Sequence, residues 1–259
     1  MGKLDEITAY KRLELAERKR ARPLARLERE IKRRVPPRGF AAALRRPGKV
    51  SLIAEVKKAS PSAGAIRPKA DAAEIARIYE GAGAQAVSVL TDAKFFSGSL
   101  DDLVTVREKV SLPVLRKDFL LEEYHLVESA AAGADAVLLI AAILERPALK
   151  RLLALARDLS LDALVEVHSG PELQEALEAE ARVIGINNRD LQTLKVDLQA
   201  TRQLMKEIPS DRVRVSESGI RSRQDVEFIR AQGADAVLVG EELMSSDDPA
   251  AKIKELMGA

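Results

Sequence analysis

Cysteine and tryptophan are absent from this 259-residue chain, and asparagine occurs only at Asn187 and Asn188. Without cysteine there is no disulfide framework, no thiolate zinc or iron–sulfur site and no cysteine nucleophile. No apolar run approaches the roughly 18 residues that a membrane-spanning helix needs, so no membrane partner is expected. The first 21 residues are highly charged and lack an apolar h-region, which does not read as a secretory signal. A cytoplasmic protein is the expectation. The two histidines and the carboxylates show no metal-ligand spacing, so no metal and no cofactor are expected. Scarce amides, no cysteine and abundant Arg and Glu fit a heat-adapted protein, although a GC-rich genome favours much the same composition.

Apolar residues make up 46% of the chain and charged residues 32%, enough to build a large core beneath a densely charged surface. The net charge of +2 is unevenly split. Residues 1–48 hold 15 Lys/Arg against 6 Asp/Glu, a balance of +9, and the remainder carries −7. Such an arm can bind RNA or membranes. The reading preferred here is a solvated helical face, because Tyr10 and Phe40 are its only aromatics and Leu24, Leu27 and Ile31 form an apolar stripe that needs a surface to pack on. Pro23 separates two expected helices, and Pro36–Pro37 ends the second. Residues 1–48 are thus read as a helical extension capping one mouth of a domain at 49–259.

Three related strings punctuate the rest: GAQAVSVL from Gly83, GADAVLLI from Gly133 and GADAVLVG from Gly233. Each reads as a helix end, a turn and a buried strand. Further short apolar runs lie at Ser51–Val56, Pro113–Leu115, Ala163–Val167, Val183–Ile186 and Val213–Val215. Helical patterns such as Ala72–Glu80 and Leu149–Leu159 fill the gaps. Eight strands alternating with helices imply parallel pairing and an α/β fold, a (β/α)8 TIM barrel with an N-terminal helical extension. The alternative, an open doubly wound sheet, usually has a Gly-rich loop after its first strand, where this chain has IAEVKKASPS.

Buried parallel strands should be continuously apolar, so charges at their C-terminal ends point to a site. Period two places Glu55 and Lys57 on the face of Ile53, Lys117 on the face of Leu115, and Glu166 on the same face as His168. The next strand ends in Asn187, Asn188 and Arg189. Two lysines and two glutamates converging on one mouth suit acid–base chemistry better than an internal salt-bridge network. His168 falls just past its strand and is set aside, and His125 is expected at the surface. Gly219 in SESGI and Gly240 in VGEELM follow the last two strands, where barrels commonly hold phosphate, so a phosphorylated small-molecule substrate is expected. Phe95, Phe96 and Phe119 are placed either to wall an apolar pocket or simply to pack beneath a loop.

IAEVKKASPS, LPVLRKDF, ALVEVH, GINNRDL, VSESGI and VGEELM, with the opening LDEITAYKRLEL, resemble the indole-3-glycerol phosphate synthase family in order and spacing along nearly the whole chain. The resemblance implies a tryptophan-biosynthetic lyase that closes the ring of 1-(2-carboxyphenylamino)-1-deoxyribulose 5-phosphate with loss of carbon dioxide and water. It implies Lys117 as general acid, Glu166 as general base, Lys57 as a second functional lysine and Glu55 as a carboxylate that pairs with and orients a lysine. Asn187, Arg189 and Ser60 would hold substrate hydroxyl and carboxylate groups, and Glu217 falls in the strand-seven motif. Ser218, Gly219, Gly240 and Glu241 would cradle the phosphate, Glu241 chiefly through its backbone N–H. Phe96, Phe119, Leu138 and Leu191 would enclose the anthranilate ring. Two other readings are weighed: phosphoribosylanthranilate isomerase, whose expected Cys/Asp pair this chain lacks, and an RNA-binding protein, which leaves the strand-end charges without a purpose. A monomer that binds no nucleic acid is expected.

Overall fold

Runs of Val, Ile, Leu and Ala flanked by turns form eight parallel strands in the computed structural model, which describes residues 2–190, 193 and 195–258. The strands are β1 (Ser51–Val56), β2 (Ala86–Leu90), β3 (Val114–Lys117), β4 (Ala136–Ile140), β5 (Asp162–Val167), β6 (Val183–Asn187), β7 (Val213–Glu217) and β8 (Ala236–Val239). Each pairs with its sequence neighbours, and β1 pairs with β8 to close the barrel. The expected strands are all present, with β3 extended to Lys117. The expected helices occur as Ala72–Gly81 and Arg146–Asp158. A two-stranded hairpin, Ala59–Ser60 with Gly64–Ala65, follows β1.

Alternation sorts each strand into two cores. Ile53, Leu115, Leu138, Leu164, Val213 and Leu238 fill the barrel interior. Leu52, Ala54, Val137, Val165 and Val237 face the surrounding helices. The three repeated strings share one hydrogen-bonding device. Their third residues, Gln85, Asp135 and Asp235, accept through side-chain oxygens from the backbone N–H groups of Leu52, Val114 and Arg214, each at 2.8 Å. Each repeat therefore clamps the start of the neighbouring strand, and its glycine (φ 92°, 84° and 92°) supplies the left-handed turn out of the preceding helix.

The N-terminal segment holds three helices rather than two: α1 (Lys3–Ala21), α2 (Leu24–Ile31) and α3 (Phe40–Leu44). It reaches both ends of the barrel. At the bottom, Phe40 and Leu44 are fully buried and join the interior cluster, and Asp162 accepts from the Ala41 N–H at 2.8 Å. Along the side, Leu15 and Leu27 pack on Tyr124 and Val127 of the helix Glu123–Ala131. Of the apolar stripe, Leu27 is buried, Ile31 is partly covered and Leu24 stays exposed. At the top, Lys3, Leu4 and Ile7 roof the mouth where β1, β3, β5, β6 and β7 end.

Candidate active site

The inward phase that puts Ile53, Leu115, Leu164 and Val215 into the barrel carries two residues further up each strand to Glu55, Lys117, Glu166 and Glu217. These side chains rise into one cavity at the C-terminal mouth. Lys117 Nζ lies 3.2 Å from Glu166 Oε2 and 3.5 Å from Glu217 Oε2. Lys57 Nζ lies 3.2 Å from Glu55 Oε1, and Ser88 Oγ donates to Glu55 Oε2 at 3.4 Å. Glu55, Glu166 and Glu217 are buried, and Lys117 and Lys57 nearly so.

Burial alone would pull the Lys117 ammonium down. The carboxylates of Glu166, Glu217 and Glu55 outweigh it, and Lys117 is held charged, above its ordinary range. For Glu166 burial raises and Lys117, His168 and a hydrogen bond from Asn187 lower; the net direction is down, so it is an anion poised to accept a proton. Burial dominates at Glu217, which has the neighbouring carboxylates Glu166 and Glu55 and, among the described residues, no hydrogen-bond partner for either oxygen, and its carboxyl is pushed up to about 8. The site thus sets a fixed cation between an ionised carboxylate and one whose carboxyl is pushed up toward neutral pH.

Around this centre the cavity divides by chemistry. Phe96 and Phe119, ring centroids 6.1 Å apart, line one side with Leu138 and Ile140. Asn187 and Arg189 line another, where the Asn187 Oδ1 accepts from the Arg189 N–H at 3.0 Å. Ser218 and Gly219, both in left-handed conformations, line the cavity with Gly240, Glu241 and Ser60 and form its rim. Arg189 reaches across that rim to Glu241 at 3.6 Å. Leu191 lies outside the described residues.

The sequence reading leaves three side chains open or places them elsewhere. Phe95 is not in the wall; it packs edge-on against Tyr10 of α1, 5.8 Å between centroids. His125 is not at the surface. Its Nδ1 accepts from the Leu121 N–H at 3.1 Å, turning the ring back over the start of its own helix. Burial, helped by the nearby Arg116, holds it down to about 3 and neutral. His168, set aside above, sits 3.4 Å from Glu166.

Three further residues shape the site, and of these only Gly185 is not singled out by the sequence. Gly185 of β6 has no side chain because a Cβ there would stand 2.1 Å from Glu217 Oε1, and a Cβ on Gly240 would stand 2.4 Å from Glu55 Oε1. Asn188 donates through Nδ2 to the carbonyls of Glu217 and Ser218 at 2.9 and 3.1 Å and accepts from Thr201, fixing the end of β7. A polar residue at the end of an apolar strand is a readable signal; a glycine that must stay small for a neighbour is not.

The family model for indole-3-glycerol phosphate synthase matches residues 4–256. The chain belongs to the indole-3-glycerol phosphate synthase family. It is 48% identical over 256 residues to the indole-3-glycerol phosphate synthase of Albidiferax ferrireducens, covering 98% of this chain and 97% of that one. It is 46% identical over 254 residues to that of Acetivibrio thermocellus, at 97% and 98% coverage. The indole-3-glycerol phosphate synthases named here are carboxy-lyases of tryptophan biosynthesis, and the likeness runs through every strand that feeds the cavity. Among solved structures the barrel is similar to 3-hexulose-6-phosphate synthase from Salmonella typhimurium, with a TM-score of 0.65 at 15% identity, covering 81% of this chain and 97% of that one. Thiamine phosphate pyrophosphorylase from Pyrococcus furiosus matches with a TM-score of 0.62 at 18% identity, covering 80% and 93%. At that distance the likeness speaks to fold alone.

Proposed function

We propose that the cavity converts 1-(2-carboxyphenylamino)-1-deoxyribulose 5-phosphate into indole-3-glycerol phosphate, carbon dioxide and water. The observation that carries the reading is the Lys117 ammonium held between Glu166 and Glu217 at the foot of an apolar wall. The anthranilate ring rests against Phe96, Phe119 and Leu138, with Leu191 assigned to the same wall by resemblance. The phosphate lies on the rim of Ser218, Gly219, Gly240 and Glu241, met by backbone N–H groups, where barrels of this kind bind phosphate. Asn187, Arg189 and Ser60 hold the hydroxyl and carboxylate groups.

In the first step the ring carbon that bears the carboxylate attacks the ketone, and Lys117 donates a proton to the developing alkoxide. The iminium that forms accepts the electron pair released as the carboxylate departs as carbon dioxide. Protonation of the new hydroxyl expels water, and Glu166 removes the carbon-bound proton that restores aromaticity. Decarboxylation of a carboxylate makes the overall reaction consume one proton. Lys57, set by Glu55, supplies the second positive charge near the carboxylate and phosphate. Removing a positioned acid or base typically costs about 100- to 10,000-fold in rate.

The test is the rise of indole fluorescence on mixing protein with this substrate. Lys117→Ala and Glu166→Gln should each lower kcat by at least about 100-fold while the proteins remain folded. Full turnover by either variant would remove its residue from the mechanism, and a flat trace from folded wild-type protein would remove the substrate.

A further inference from the structure

His168 stands just beyond β5, and the reaction above gives it no task. Its surroundings are nonetheless built. Glu172, in the first turn of the helix Gly170–Glu178, accepts the His168 backbone N–H at 2.8 Å and lies 3.2 Å from the ring Nδ1. The other oxygen of Glu172 accepts from Ser169 Oγ at 2.9 Å, so the carboxylate is pinned before it meets the ring. These contacts turn Nε2 inward, where it is buried with no hydrogen-bond partner among the described residues and lies 3.4 Å from Glu166 Oε1. Lys117 occupies the other oxygen, Oε2, at 3.2 Å. Capping the helix needs only Ser169 and Glu172; it does not need an imidazole aimed at the floor of the cavity.

We propose that His168, oriented by Glu172, is the positioning residue for Glu166: its Nε2–H engages Oε1 and leaves Oε2, beside Lys117, as the oxygen that meets the reacting atoms. The proposal rests on the synthase reading and extends it from the base to the residue behind the base.

Electrostatics act in the same direction. Burial pulls the His168 imidazole down, but Glu172, Glu166 and Glu217 outweigh it and favour the imidazolium. Lys117 and His168 both face Glu166 as cations, with Asn187 as a hydrogen-bond donor and Glu217 as the opposing carboxyl. Glu166 must be ionised to act, and it is kept ionised partly by a charge outside the substrate cavity. Removing an opposite charge at this separation raises a carboxyl by roughly one to three pH units when buried.

The experiment is the pH profile of kcat/KM for the wild type, His168→Asn and Glu172→Gln, read by indole fluorescence. The acidic limb, which reports ionisation of the base, should move upward by about one pH unit in H168N, and in the same direction by less in E172Q. KM should stay within about twofold, because neither residue is assigned a substrate contact. Acidic limbs that superimpose across all three proteins would overturn the proposal, even if kcat fell, since a merely structural loss lowers the profile without shifting it. Should H168N fail to fold, E172Q carries the test, because it leaves the imidazole in place. A wild type that forms no indole product would instead overturn the synthase reading; a wild type that turns over beside an unshifted variant would overturn only the role of His168.

Discussion

Glu217 shows how one residue can be read for chemistry and for stability together. Its carboxyl lies at about 8 in the folded protein, against 4.5 for an unperturbed glutamate, because burial outweighs the attraction of Lys117. A group whose folded value is raised contributes stability below the unfolded value and loses it as pH rises through the folded one. Glu217 should therefore weaken the protein progressively between about pH 4.5 and pH 8. Glu217→Gln keeps the shape and removes the titration. Its urea midpoint relative to the wild type should rise from about pH 5 to about pH 8; an equal difference at both values would contradict the assignment. Gly185 tests the same carboxyl from the other side. Gly185→Ala puts a methyl 2.1 Å from Glu217 Oε1 and 3.1 Å from Leu164 Cδ1, so overpacking should cost about 1–3 kcal/mol and displace a group beside Lys117. The expected outcome is a loss of kcat larger than the change in KM.

Among the elements, α1 and α3 make an instructive pair, since both belong to the segment preceding the first barrel strand and bury against opposite ends of it. α1 is latched by Lys11, which is fully buried and lies 2.8 Å from Asp118 Oδ1, 3.3 Å from Asp92 Oδ2 and 2.5 Å from Glu14. Asp118 also meets Arg116 at 3.2 Å, so the latch continues into the outward face of β3 next to Lys117. Lys11→Met would leave the buried Asp92 Oδ2 without its cation and Asp118 with Arg116 alone, and breaking a buried pair from one side costs about 3–5 kcal/mol. Because Lys3, Leu4 and Ile7 of the same helix roof the cavity, KM should rise more than kcat falls. Phe40→Ala on α3 should cost a similar amount, about 3–5 kcal/mol, with KM unchanged, because it opens the barrel floor far from substrate. Equal effects of both variants on KM would refute the division of labour. The two helices also mark where the sequence was legible. β1 to β8 follow from short, continuously apolar runs whose side chains alternate between two buried faces with period two, and Glu55, Lys117 and Glu166 stand out as breaks in those runs. The five-residue α3 has no such period, and its Phe40 and Leu44 matter only once the barrel end they plug is built. Lys11 reads as one more exposed cation until Asp92 and Asp118, far along the chain, are brought to it.

At the scale of the molecule, the charge asymmetry finds an internal destination. Cations of the basic segment reach acidic groups of the barrel through Lys11 to Asp118, Arg18 to Glu128 and Lys19 to Glu122, which leaves less of the +9 balance to face an external polyanion. A short labelled RNA should accordingly show no saturable binding at physiological salt, where an arm built for phosphate would still hold it. The same internal pairing bears on heat. Surface ion pairs add little at room temperature, but desolvating charges becomes less costly as temperature rises, so networks such as Lys11–Asp118–Arg116–Glu128–Arg18 gain in relative weight. Covalent damage offers few openings, because there is no cysteine to oxidise and the two asparagines are buried. Asn188 is further fixed by hydrogen bonds to Ser216, Glu217, Ser218 and Thr201, which keep its amide away from the following backbone. The composition first suggested heat adaptation without separating it from genome bias, since counting amides says nothing of where they lie. The expected outcome is that at least about half of the activity survives an hour at about 70 °C, with no deamidation at Asn187 or Asn188 by mass spectrometry. Rapid inactivation with both asparagines intact would assign the amide scarcity to genome composition, and Lys11→Met should shorten the half-life at that temperature because it breaks the network at its centre.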